Sequence, residues 1–253
     1  MKTYIFKLQK GGTGATSIGL SVAVELAKAG NKTLFIDADP QGNATTWLNF
    51  QTINYELSDV LQGNAKAADA ILSTSQKNLF VIPTAGIDGD LSRVKDVITN
   101  DAPFIISDII ESIQNDYDYC LIDLSPSYGN FERSCYLASD EIIPVLLLDE
   151  FSIDGLEIFS NHLQETKKKW HVAADKMQFH RIILNKMNKQ KSISKMILST
   201  FEKSYKKANL FVIPQDPNFE KAQLLKAFIQ DIDGTKAETL QEVKRLAKTI
   251  VKA

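Results

Sequence analysis

The chain has 253 residues, of which 44% are hydrophobic and 24% charged, with a formal net charge of −2. This is the composition of an ordinary soluble globule, ample for one α/β domain and short for two. It excludes a membrane-spanning reading, because no apolar run approaches the ~18–20 residues that a span needs.

The first element is a β-rich run, Thr3 to Leu8, with no signal peptide expected ahead of it. It feeds Lys10-Gly11-Gly12-Thr13-Gly14-Ala15-Thr16-Ser17 and then a helix whose apolar face is Ile18, Val22, Leu26 and Ala29, ended by Gly30-Asn31. Strand, glycine-rich loop and helix in that order form the context of a phosphate-binding loop, G-x-x-x-x-G-K-[ST]. Its backbone N–H groups turn inward around phosphate, and the helix N-terminus adds partial positive charge. Gly11, Gly12 and Gly14 supply the backbone, Thr13 lies among them, and Thr16 is placed to put a hydroxyl on Mg²⁺. Gln9 stands where the first glycine of the pattern falls, and Ala15 stands where its phosphate-gripping lysine belongs. Ser17 fits either a helix cap or a contact to the α-phosphate.

The next strand, from Thr33 to Ile36, ends in Asp37-Ala38-Asp39-Pro40-Gln41-Gly42-Asn43, and a polar stretch follows through residue 78. A strand near Leu79 to Ile82, a helix from about Pro103 to Gln114 and a strand from Tyr119 to Leu124 come next. Asp123 closes that strand; a carboxylate ending a buried apolar run invites a cation, or else caps the loop beyond. Then come a helix around Phe131 to Ala138, a strand from Ile142 to Leu147, a long helix from Ile153 to about Trp170, and a strand from Phe179 to Leu184. A helix from Ser192 to Lys206, a strand from Leu210 to Ile213 and two closing helices complete the order. Alternation of this kind predicts an α/β fold with a mostly parallel sheet, helices on both faces, and ligands at the carboxyl ends of the strands. No repeat or low-complexity linker divides it, so one domain over residues 1–253 is expected.

Charge is unevenly distributed. Residues 1–164 hold 10 Lys and Arg against 22 Asp and Glu, whereas residues 165–207 hold 12 against 3. Lys167-Lys168-Lys169 and Lys186, Lys189, Lys191, Lys195, Lys203, Lys206 and Lys207 make that segment either a patch for an anionic polymer or a solvated face. Cys120 and Cys135 have no metal or redox spacing, which suits a reducing cytoplasm, and His162, His171 and His180 show no ligand spacing.

Lys10 two residues before Gly12, together with Asp37-Ala38-Asp39-Pro40-Gln41-Gly42-Asn43, resembles the ParA/MinD group of deviant Walker-A ATPases, and within it the ParA partition ATPases. Tyr119-Cys120-Leu121-Ile122-Asp123-Leu124-Ser125-Pro126-Ser127, Ile142-Ile143-Pro144-Val145 and the stretch from Ile213-Pro214 to Lys221-Ala222 extend the resemblance along nearly the whole chain. It implies an ATP/ADP site with Mg²⁺ and an ATP-bound sandwich homodimer in which Lys10 reaches the partner's phosphates. It further implies Asp123 as the Walker-B carboxylate on a metal-bound water, Asp39 orienting the attacking water, and Asp37 supporting the metal shell or a switch. Asn185 would read the adenine amide edge, with Pro214 near the same base. The family setting implies non-specific nucleoid DNA, a ParB-like or cargo adaptor that stimulates hydrolysis, and a cytoplasmic location without membrane attachment.

Two departures bear on those expectations. Ala15 removes an ammonium from a site of several phosphate charges, which predicts very weak hydrolysis. The persistence of Lys10, Thr16, Asp37, Asp39 and Asp123 beside it fits an introduced lysine-to-alanine change in an otherwise competent ATPase. Pro214-Gln215-Asp216-Pro217-Asn218 lacks the arginines that DNA-binding relatives carry there. The competing readings are a MinD-like membrane ATPase, for which Leu240, Val243, Leu246, Ile250 and Val251 would be the anchoring stripe, and a non-hydrolysing nucleotide-sensing scaffold.

Overall fold

Runs of Val, Ile, Leu and Phe with no polar alternation become strands buried on both faces, as a parallel sheet requires. The computed structural model describes residues 1–8, 10–149, 152–188, 190–205 and 208–252. The strands are β1 (Lys2–Phe6), β2 (Thr33–Ala38), β3 (Leu72–Ser73), β4 (Leu79–Ile82), β5 (Tyr119–Leu124), β6 (Glu141–Ile143), β7 (Val145–Leu147), β8 (Arg181–Met187) and β9 (Asn209–Pro214). The helices are α1 (Ala15–Lys28), α2 (Asn43–Leu48), α3 (Leu57–Leu61), α4 (Leu91–Asp101), α5 (Ile105–Ile113), α6 (Asn130–Leu137), α7 (Ser152–Trp170), α8 (Ser192–Ser204), α9 (Asn218–Leu225) and α10 (Ala237–Val251).

The described strands form a six-stranded sheet of order β3-β4-β2-β5-β1-β6 and a three-stranded sheet β7-β8-β9, with β3–β4 antiparallel and the other pairs parallel. The expected Ile142–Leu147 strand is split at Pro144, which has no N–H to give the ladder. The carbonyl of Pro144 still accepts from Ile183 N at 2.8 Å, so β8 crosses the break.

Alternate residues of each strand serve two cores. Ile5, Leu34, Ile36 and Ile122 pack on the side of α3, α5, α6, α7 and α8, whereas Tyr4, Phe6, Phe35 and Leu121 pack beneath α1 and α10. α10 buries Val243, Leu246 and Ile250 against that second core, leaving Leu240 half-buried and Val251 exposed. Most of the stripe weighed as a membrane anchor is therefore core. Among the described residues no helix is long and apolar enough to cross a membrane.

The structure departs from expectation in the first half. The stretch from residue 43 to 78 holds α2, α3, a 3-10 turn (Ala67–Ala70) and β3, and α4 lies between β4 and α5, where no helix is expected. α2 and α3 have six and five residues, too short for a 3.6-residue period to register. β8 begins two residues later than expected and runs on to Met187, because Phe179 leaves the ladder to stack on Phe159 of α7 with centroids 5.8 Å apart.

Candidate functional site

β1 and β5 lie side by side with Phe6 opposite Asp123, so the loop after β1 and the carboxylate ending β5 meet at the carboxyl edge of the sheet. α1 starts at Ala15 directly after Gly14, whose φ of +88° is left-handed, and Gly12 is also left-handed at +74°. Those angles turn the chain sharply enough to present successive peptides, and they favour glycine. The loop lines a cleft of about 400 Å³ with Lys10, Gly11, Gly12, Thr13, Gly14, Ala15, Thr16, Ser17, Asp39 and Leu124 on its walls. The reading of residues 10–17 as one loop thus corresponds to one concave surface at the N-terminus of a 14-residue helix.

Asp123 is 2% exposed, and among the described residues neither carboxylate oxygen meets a donor in full hydrogen-bond geometry, the Thr16 hydroxyl being the nearby one. Burial first, and then the charge of Asp37, push its pKa well above the usual carboxylate range, while the nearby Thr16 hydroxyl acts in the opposite sense. A buried carboxylate with two idle oxygens is the donor a hard cation takes. No three His, Cys, Asp or Glu side chains among the described residues are grouped to hold a metal alone. A Mg²⁺ ion here would therefore share its shell with phosphate and water, which is its habit.

Asp37 and Asp39 divide their labour. Asp37 is fully buried, and its Oδ2 accepts from the Thr45 backbone N (2.8 Å) and hydroxyl (2.7 Å), holding the first turn of α2. Burial raises its pKa to about 6 against the pull of those Thr45 bonds. Asp39 faces the cleft and closes an Asx turn, its Oδ1 accepting from Gln41 N at 2.9 Å. Asp37 is thus a brace beside the cleft, and Asp39 is the carboxylate on its wall.

Lysines surround the loop. Lys10 pairs with Asp149 at the end of the β7 segment. Asn185 is 4% exposed and donates one of its two Nδ2 hydrogens to the Thr13 carbonyl at 2.7 Å, which ties it to the loop. Lys186, expected among the nucleic-acid-facing lysines, places its Nζ 3.0 Å from the Gly12 carbonyl oxygen. Pro214 is buried at the end of β9, beside Met187, and borders a separate cleft with Gln215 and Pro217. Lys191 and Lys195 are exposed at the start of α8, while Lys189 lies outside the described residues. Lys167, in the triple-lysine run, is only 9% exposed, and burial lowers its pKa, so that run offers Lys168 and Lys169 to solvent.

The loop after β5 has a support that motif reading passed over. Lys7 is 1% exposed and donates to the Ser125 carbonyl and, at 2.6 Å, to the Ser127 carbonyl; burial lowers its pKa to about 8. Glu132 accepts from Lys95 Nζ (3.0 Å), Ser127 Oγ (2.6 Å), Ser125 Oγ (3.2 Å) and Gly129 N (2.6 Å). Burial alone would raise the Glu132 pKa, but Ser127, Lys95 and Gly129 bring it down to about 2. The available signal was a lysine inside an apolar strand run, a position that is charged only when it has partners.

The profile of the AAA domain family AAA_31 matches residues 1–175. The chain is similar to the chromosome-partitioning ATPase Soj of Treponema pallidum, 34% identical over 66% of this chain and 64% of that protein. It is also similar to the chromosome partitioning protein ParA of Caulobacter vibrioides, 29% identical over 86% and 84%. Its fold matches that of apo McdA from Cyanothece with a TM-score of 0.83, at 20% identity and covering 98% and 99% of the two chains.

Proposed function

We propose that this chain, which belongs to the ParA-type partition ATPases of the AAA_31 family, binds ATP with Mg²⁺ in the cleft above β1 and β5 and acts in the partition or positioning of a large cargo. The observation that carries the reading is the pairing of a left-handed glycine loop at the start of α1 with Asp123, whose buried oxygens are idle. The N–H groups of the loop would cradle the phosphates, and the Thr16 hydroxyl with Asp123 would hold Mg²⁺ and its water. Bound there, the ion would neutralise charge on the phosphate oxygens. Asp39, on the cleft wall, would orient water, and Asp37 would hold α2 in register behind it.

Lys10 would serve a partner's phosphates in an ATP-dependent homodimer, exchanging its Asp149 contact for them. Hydrolysis by the chain is weak because Ala15 gives the transition state no ammonium. Asn185 and Pro214 would border the base. Lys191 and Lys195, with Lys189, would hold non-specific nucleoid DNA, and a ParB-like or cargo adaptor would stimulate turnover. We take residues 1–253 to work as one ATPase domain in the cytoplasm. Titration calorimetry tests the reading: Mg²⁺ should tighten ATP binding to the unaltered chain, and Asp123→Asn should abolish that gain while ATP alone still binds. Absence of ATP binding under both conditions would overturn it.

A further inference from the structure

Successive residues of a strand point to opposite faces, so Asn185 and Lys186 would not normally meet the same loop. Here they do. Lys186 is left-handed at φ +54°, a conformation seldom adopted by residues other than glycine, and the β8–β9 register shifts between Leu184 and Met187. Such irregularities re-aim side chains beside functional sites. The result is that Asn185 donates to the Thr13 carbonyl and Lys186 to the Gly12 carbonyl, on consecutive peptides of the loop.

In a trans peptide the N–H points away from the C=O. With the Gly12 and Thr13 carbonyls held on the β8 side, the N–H groups of Thr13 and Gly14 are directed away from that side, the direction a phosphate cradle needs. A cation on a carbonyl also polarises the peptide and strengthens its N–H as a donor. The other lysines at the loop have partners of their own: Lys10 is paired with Asp149 and Lys7 donates to the Ser125 and Ser127 carbonyls, while position 15 is alanine.

We propose that Lys186 is a positioning residue for the polyphosphate chain of a nucleotide, supplying through the Gly12–Thr13 peptide, within the same subunit, part of the positive charge that Ala15 withholds. The inference rests on the ATP-site reading above. Calorimetry with ATP and ADP, and ligand-observed NMR with adenosine, test it on the chain as it stands and on Lys186→Gln and Lys186→Arg. Lys186→Gln should weaken ATP binding about tenfold, leave adenosine binding unchanged and flatten the salt dependence of ATP affinity; Lys186→Arg should restore both. On an Ala15→Lys background the Lys186→Gln penalty should shrink, because two residues serving one charge are not additive. Equal ATP affinity with and without Lys186, or equal loss of ATP and adenosine, would overturn the inference. An unaltered chain that binds no ATP would overturn the site reading as well.

Discussion

Replacing Gly14 by alanine should disable the loop, and the structure sets the size of the effect. Gly14 has φ +88°, which costs an L-residue about 1–2 kcal/mol. A Cβ there would lie 2.5 Å from Nδ2 of Asn185, the buried amide that donates to the Thr13 carbonyl. Relieving that contact means giving up the bond and stranding a buried polar group, a further ~1–3 kcal/mol. The sum of about 2–5 kcal/mol corresponds to a fall in melting temperature of roughly 4–20 °C for a chain of this size. Gly12→Ala is the control: it has the same backbone strain at φ +74° but, among the described residues beyond its chain neighbours, no atom within 4 Å of its Cβ, so it should cost only the first amount. Thermal unfolding followed by circular dichroism compares them, and adding Asn185→Ala to Gly14→Ala should recover part of the difference. Equal melting temperatures for the two glycine variants would refute the reasoning, because the contact with Asn185 would then carry no energy.

Three further outcomes are expected. Asp39→Ala on an Ala15→Lys background should accumulate an ATP-bound dimer on size-exclusion chromatography, and unchanged turnover would remove Asp39 from the water-orienting role. Lys191→Glu with Lys195→Glu should weaken retention on duplex DNA about equally for all sequences and reduce its salt slope, whereas unchanged retention would make these lysines a solvated face. Glu132 has a folded-state pKa of about 2, below its ordinary value, so its stabilisation is present above pH ~4.5 and is lost as pH falls toward 2. Urea unfolding between pH 7 and 3 should show that decline, worth up to roughly 2 kcal/mol over this range, and a Glu132→Gln variant with the same slope would exclude it.

Much of the site was legible in the sequence because its chemistry is local. Gly11 to Ser17, Asp37 to Asn43 and Asp123 each sit at a strand end, and a parallel sheet gathers strand ends on one edge, so chain position alone placed them together. What was not legible depends on tertiary contacts. Nothing in the spacing says that Asp37 spends its carboxylate on Thr45, that Lys7 clasps the Ser125 and Ser127 carbonyls, or that Asp149 pairs with Lys10. Nor does the spacing say that the exposed Lys186, grouped with its lysine neighbours on charge, reaches the Gly12 carbonyl through an irregular strand end. α2 and α3 escaped detection because helices of five or six residues are held by packing and brief caps rather than by periodicity.

The central claim is that this cleft is an ATPase site complete except for one ammonium. Phosphate release by Ala15→Lys, compared with the unaltered chain in the presence and absence of Mg²⁺, tests it most directly. An added cationic donor at the phosphates should raise kcat by about 10²–10³, in line with the loss seen when one transition-state donor is removed, and only when Mg²⁺ is present. A folded, ATP-binding Ala15→Lys variant that hydrolyses no faster than the unaltered chain would contradict the account.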